Sequence, residues 1–272
     1  MAPTSPATAF SALELTTYFR ARLGLIPHAD APAAGRCDAC GMDLTIDGLH
    51  PTRCRRAGNL GPQTRHALVN SALRNALTRI ANGRPAGRAM APRRAENGGA
   101  EPLMGDYFPR NKDYQPTKAD GPEERSRGDI VLKDTPRGTV VLDTVIYASH
   151  YPNGAAAGAD KPHVAVGKAA DTAYDHEMRH YQQRFIIDGT AGCIFPIAME
   201  SGGRWAARSR AHLSSFIEWC IQTPRKDWSA DDYTYYNRSI RDALDSTSLA
   251  LARFTARQLL GAAVKRGAAG GY

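Results

Sequence analysis

The chain has 272 residues, 42% of them hydrophobic, enough for one large domain or two small ones. No apolar run approaches the ~18 residues of a membrane helix, and five cysteines are too few for a disulfide scaffold. The net charge of +8 is segregated: Gly48 to Ala95 holds ten Arg and no acid, so the remainder is slightly acidic. Such segregation points to a polyanion, with nucleic acid the foremost candidate; the bland alternative is an Arg-rich, solvated surface.

Met1 to Phe10 has neither the basic start nor the apolar stretch of a signal peptide, which predicts an intracellular, membrane-free chain. Ser11 opens a helix with Glu14 at capping-box spacing, and Gly24 ends it before Pro27. Leu15, Phe19 and Leu23 recur at fours as its expected inward stripe. Cys37-x₂-Cys40-x₉-His50-x₃-Cys54 then puts three thiols and an imidazole within eighteen residues. Zn²⁺ takes four N/S ligands in a tetrahedron, and ligand pairs joined by turns supply them without a large core. Four protein ligands leave no open position, so the expected site is structural. Residues 1–58 thus read as a helix plus a zinc knuckle.

Pro62 opens a second helix that stops near Gly83. Leu68, Leu73, Leu77 and Ile80 are its expected inward face, with Arg65, Arg74 and Arg79 left for solvent or phosphate. Residues 84–122, rich in Gly, Pro, Arg and Asn, predict a flexible basic loop. A β-hairpin follows, Asp129 to Lys133 and Thr139 to Tyr147, around a five-residue turn at 134–138. That turn makes paired positions sum to 272 and sets Asp129 opposite Asp143, with Cβ atoms about 5 Å apart. Val131, Val141 and Val145 share their face. Two close carboxylates repel unless a cation separates them, a reason to expect Mg²⁺. The plainer reading is two solvated acids at strand ends.

An irregular stretch leads to a helix from about Lys168 to Ile187, whose expected inward stripe is Ala173, Tyr174, Met178, Tyr181 and Phe185. Arg179 or His180 then flanks the hairpin acids. Cys193 to Met199 reads as a strand, and helices follow over Arg204 to Gln222 and Tyr233 to Val264. Cys193 and Cys220 read as core residues. Strand, strand, helix, strand, helix is an α/β arrangement over residues 59–265, with a tail at 266–272.

Four blocks resemble the C-terminal part of site-specific non-LTR retrotransposon polyproteins. They are the knuckle with Gly48-Leu-His50; Arg65-His66 opening the next helix; Arg127-Gly-Asp129 with Leu142-Asp143 thirteen residues on; and Pro196-Ile-Ala-Met-Glu200-Ser-Gly-Gly203-Arg-Trp205. The similarity runs from about residue 10 to 265. It implies a CCHC knuckle ahead of a restriction-like endonuclease core of the PD-(D/E)XK class, which nicks DNA in the nucleus when the element is active. Residue by residue it implies that Asp129 and Asp143 hold Mg or Mn, with Arg179 or His180 at the scissile phosphate. Arg53, Arg55, Arg56, Arg65, His66, Arg74 and Arg79 would grip DNA, or RNA of the element.

The departures from the family pattern are specific. Gly128 replaces the usual Pro, and Val145 stands where a lysine follows the second acid. The basic stretch of the next helix reads Arg179-His180-Tyr181. Arg orients phosphate but takes up no proton; His180 does. A folded remnant that binds nucleic acid without cutting is the alternative that Val145 favours. A second alternative is a zinc protease, since His176-Glu177-Met-Arg-His180 matches HExxH, with Glu200 as third ligand. Ala230-Asp-Asp-Tyr233 is similar to the aspartate pair of reverse transcriptases but reads better as a helix start, with Asp231 or Asp232 as N-cap.

Overall fold

A computed structural model describes residues 10–22, 36–37, 39–42, 50, 54, 61–92, 103–114, 128–147, 168–187 and 192–267. Arg53, Arg55, Arg56, Leu23 and Gly24 lie outside them, as does most of the 266–272 tail. The elements in chain order are α1 (Ala12–Arg22), α2 (Pro62–Asn82), β1 (Ile130–Thr135), β2 (Gly138–Tyr147), α3 (Lys168–Arg184), β3 (Gly192–Glu200), α4 (Ala207–Ile221) and α5 (Ala230–Gly267). The strands form one mixed sheet in the order β1-β2-β3. β1 and β2 run antiparallel, while β2 and β3 run parallel with α3 crossing between them.

Strand residues alternate between faces, and both faces of this sheet are covered. Ile130, Leu132, Val140, Leu142 and Phe195 pack on Leu73 and Leu77 of α2 and on Leu213 and Phe216 of α4. On the opposite face, Val131, Val141 and Ile194 meet Tyr181 and Phe185. Val145 and Ala198 meet Ala170, Ala173 and Tyr174 of α3. The expected α3 stripe is the one that packs. Coverage extends to the free edge of β3, where Pro196 has no N–H to leave unpaired. There the Ser209 hydroxyl accepts from Ala198 N–H at 2.9 Å and donates to the Pro196 carbonyl at 2.9 Å.

The hairpin has the expected register by a different route. Ile130 faces Leu142, Val131 faces Val141 and Leu132 faces Val140, but the turn closes on Thr135 and Gly138. Two residues therefore form the tip instead of five, and a bulge at Asp134, with φ +57°, absorbs the difference.

Four other expectations need correction. In α1, Leu15 and Phe19 are 42% and 54% exposed, while Glu14 and Thr17 are buried. Glu14 is drawn inward by Arg257 and Arg253 of α5, at 2.6 and 3.7 Å. In α2, Leu68 is exposed and Val69 takes its inward place. The expected loop at 84–122 contains 3₁₀ turns at Ala86–Met90 and Met104–Asp106, and Met90, Met104 and Phe108 are core residues. Lone apolar anchors carry no periodicity, so pattern reading misses them. Finally, the N-cap of α5 is Ser229, whose hydroxyl accepts from the Asp232 N–H at 3.2 Å. Asp232 returns the bond to the Ser229 N–H at 3.0 Å, completing a capping box.

Candidate functional site

The knuckle residues come together. The ligand atoms of Cys37, Cys40, His50 and Cys54 all lie within 4.8 Å of one another. Cys37 and Cys54 sulfurs are 3.8 Å apart, and Cys40 Sγ lies 2.9 Å from His50 Nε2. A Zn–S bond of about 2.3 Å implies a tetrahedral S···S edge of roughly 3.8 Å, so the thiolate spacing suits the ion. Gly41, at φ +77°, turns the chain and donates its N–H to the Cys37 carbonyl at 2.7 Å. The group can hold a zinc ion. Among the described residues it is the one set of three or more His, Cys, Asp or Glu side chains close enough to share a metal.

The hairpin acids form a second centre. Asp129 immediately precedes β1 and is 4% exposed. Its Oδ2 accepts the Thr144 N–H at 2.6 Å, replacing a strand carbonyl. The same oxygen lies 3.1 Å from His66 Nε2, which also donates to the Thr144 carbonyl at 2.8 Å. The Asp129 partner raises the His66 pKa to about 9, against the opposing effect of burial; the ring is therefore an imidazolium at neutral pH. An imidazolium donates from both nitrogens. Asn70 Nδ2 sits 3.3 Å from Nδ1 while Asn70 Oδ1 lacks a partner. Exchanging the amide O and N gives the Nδ1 proton an acceptor.

Four residues further along α2, Arg74 donates to the Asp129 carbonyl at 2.9 Å. His66, Asn70 and Arg74, at i, i+4 and i+8, therefore form one polar stripe aimed at Asp129. This changes the expected binding surface. Arg65 is buried, and desolvation lowers its pKa to about 10. His66 and Arg74 serve Asp129, so of the α2 basic residues expected to grip nucleic acid, Arg79 alone is exposed.

Asp143 is half-buried on the α3 face of β2. Burial, then the charge of Asp129 and that of Glu177, hold its carboxyl well above the usual carboxylate range. A hydrogen bond from Tyr181 and the charge of His66 act the other way. Burial and Asp143 push the Tyr181 phenol up, so it stays a neutral donor. From α3 the residues that reach the acids are thus Tyr181 and Glu177. Arg179 does not: it is exposed, and its Nε donates to the Asp175 carbonyl at 3.2 Å. His180 is half-buried, its ring edge-on to Tyr181 at 5.7 Å.

The HExxH residues do not converge. The His176 side chain is 72% exposed and 3.6 Å from Glu177, whereas Glu200 is 1% exposed within β3. Sequence reasoning missed Asn70 and the Thr144 backbone and gave Glu177 only a place in the protease motif; the available signal was the four-residue spacing from His66 through Asn70 to Arg74. Comparison of the chain with family models, with curated proteins and with solved structures finds no match.

Proposed function

We propose that the chain is a divalent-metal-dependent endonuclease that hydrolyses a DNA phosphodiester, on a restriction-like core of the non-LTR retrotransposon kind. The observation that carries this reading is the carboxylate pair. Asp143 is held above its ordinary pKa in part by Asp129, and mutual repulsion of this kind is relieved by a cation between the acids. Mg²⁺ needs only one or two protein carboxylates, because water and substrate phosphate complete its shell.

Mg²⁺ or Mn²⁺ there would neutralise phosphate charge and acidify a bound water. Asp129 and Asp143 would hold the cation, with Tyr181 orienting Asp143 and the α2 stripe orienting Asp129. His180, whose ring stands edge-on to Tyr181 at 5.7 Å, would be the general base of this reading. Exposed Arg79 and the knuckle supply backbone grip, and an active element would do this work in the nucleus. Supercoiled plasmid incubated with zinc-loaded protein and Mg²⁺ should become nicked, and Asp143→Ala should abolish nicking while DNA binding persists. Equal nicking by wild type and Asp143→Ala would overturn the proposal.

A specific observation favours a second reading, a nucleic-acid-binding remnant. Val145, in the family's lysine position, packs into the α3 interface with Ala170, Ala173 and Tyr174. No charged amine occupies that place. The remnant would bind DNA with the same salt dependence and would not cut it, whichever divalent ion is added.

A further inference from the structure

We infer that His66 is a positioning residue for the cation: it occupies Oδ2 of Asp129 and thereby presents Oδ1 to the metal. The inference rests on the nuclease reading and assigns a role that the sequence resemblance gave instead to nucleic-acid contact. Its geometry is specific. Both donors to the Asp129 carboxylate, the Thr144 N–H at 2.6 Å and His66 Nε2 at 3.1 Å, converge on the same oxygen. A carboxylate whose one oxygen is saturated by two fixed donors cannot rotate to bind a metal through both oxygens.

His66 is itself fixed at two further points, the Thr144 carbonyl at 2.8 Å and the Asn70 amide at 3.3 Å. Thr144 thus gives its N–H to the acid and its carbonyl to the histidine, closing a loop of hydrogen bonds next to Asp143 in sequence. The side chain is one-third exposed, yet its Nε2 is spent on these inward partners. A phosphate contact through Nε2 would have to break both. Groups that hold a metal's ligands from behind change metal affinity by about 10–100-fold when removed, and they leave substrate binding by remote residues alone.

The test titrates Mn²⁺ into zinc-loaded full-length protein by calorimetry and measures DNA binding separately, by anisotropy at several salt concentrations. His66→Ala should weaken Mn²⁺ binding about 10–100-fold and leave DNA affinity and its salt slope unchanged. His66→Gln, which keeps a neutral N–H donor near the Nε2 position, should restore most of the Mn²⁺ affinity. Should His66→Ala not fold, Asn70→Ala, which loosens the ring without touching Asp129, replaces it and should weaken Mn²⁺ binding in the same direction. Unchanged Mn²⁺ affinity, or weaker DNA binding with a flatter salt slope, overturns the inference and returns His66 to the DNA surface. The two proposals part company cleanly. Protein that binds Mn²⁺ through Asp129 but never nicks DNA refutes the nuclease, while the Mn²⁺ affinities still decide the role of His66. No Asp129-dependent Mn²⁺ binding in the wild type refutes both.

Discussion

Gly128 shows how a single position controls the site. A Cβ there would lie 2.1 Å from Val141 Cγ1 and 3.1 Å from Met104 Sδ, both fully buried atoms' residues on the α3 side of the sheet. The glycine thus allows β2 to approach the segment that carries Asp129. Gly128→Ala should destabilise the fold by about 1–3 kcal/mol through overpacking. Urea denaturation of Gly128→Ala, Val141→Ala and the double variant should show a cost below the sum of the singles; additive costs would mean the two positions do not touch.

A second prediction at residue scale concerns His212, stacked on Phe195 at 3.8 Å and hydrogen-bonded through Nε2 to the Tyr174 hydroxyl at 2.6 Å. Burial, with Arg137 and Arg208 nearby, pushes its pKa down to about 4. The unfolded chain therefore binds this proton first, and His212 costs stability as pH falls from its ordinary value of 6.5 toward 4. His212→Gln, which keeps a hydrogen-bond partner for Tyr174, should flatten the fall in Tm across that window. At the opposite limb, the stability His66 supplies is fully present below pH 6.5 and is lost as pH rises through about 9.

At the scale of elements, legibility followed the kind of force involved. The α3 stripe was legible because it is apolar, regular and buried against one sheet face. The stripe of α1 was equally regular, yet its described members, Leu15 and Phe19, are exposed. Glu14 pairs with Arg257, 243 residues away, and periodicity of apolar residues cannot register a long-range ion pair. The cross-strand register of the two acids rests in the sequence on a five-residue turn, and it holds because the bulge at Asp134 offsets the two-residue tip. Of the three α2 arginines expected to be free for solvent or phosphate, Arg79 is exposed, while Arg65 is buried and Arg74 is turned to Asp129, because Arg looks alike in sequence whether it serves phosphate or a protein acceptor.

The knuckle is the element whose stability is most local. Cys37 and Cys54 form a cluster with Ala39 and Cys40 that is separate from the sheet cores. With four ligands inside eighteen residues, metal binding should supply much of its folding energy. About one equivalent of zinc should co-purify, and Cys40→Ser or chelation should unfold the knuckle while the main thermal transition stays near its original Tm. Metal-free protein with an unchanged knuckle amide spectrum would refute this.

Among the described arginines of the acid-free window, Arg79 and Arg88 are the exposed ones, while Arg74 is turned to Asp129. On the nuclease reading, DNA affinity comes from counterion release by exposed arginines. Each phosphate contact contributes about 0.9 to the slope of log affinity against log salt. Arg79 and Arg88 are exposed on α2 and the turn after it. Replacing both with Gln should flatten that slope, whereas Arg74→Gln, which removes a bond to the Asp129 carbonyl, should leave it unchanged and impair cleavage. A flatter slope in Arg74→Gln would place that guanidinium on the DNA.

The acid site also lies where α2, the sheet and α3 meet, so its strain bears on global stability. Asp143 has a folded pKa above its unfolded value. A carboxyl of that kind contributes stability that is present below the unfolded pKa and lost as pH rises through the folded one. At neutral pH the half-buried Asp143 carboxylate beside Asp129 therefore weakens the fold, and on the nuclease reading a bound cation would remove that cost. Mg²⁺ at a hundredfold excess over its dissociation constant should stabilise the folded chain by about 2.7 kcal/mol. Calorimetry should then show Tm rising by roughly 2–4 °C per kcal/mol for a domain of this size. Asp143→Asn, which still accepts the Tyr181 hydrogen bond, should raise Tm in the absence of metal and remove the response to Mg²⁺. If Asp143→Asn instead lowers Tm and the wild type ignores Mg²⁺, the two acids are structural acceptors for Thr144 and Tyr181, and the cation belongs elsewhere.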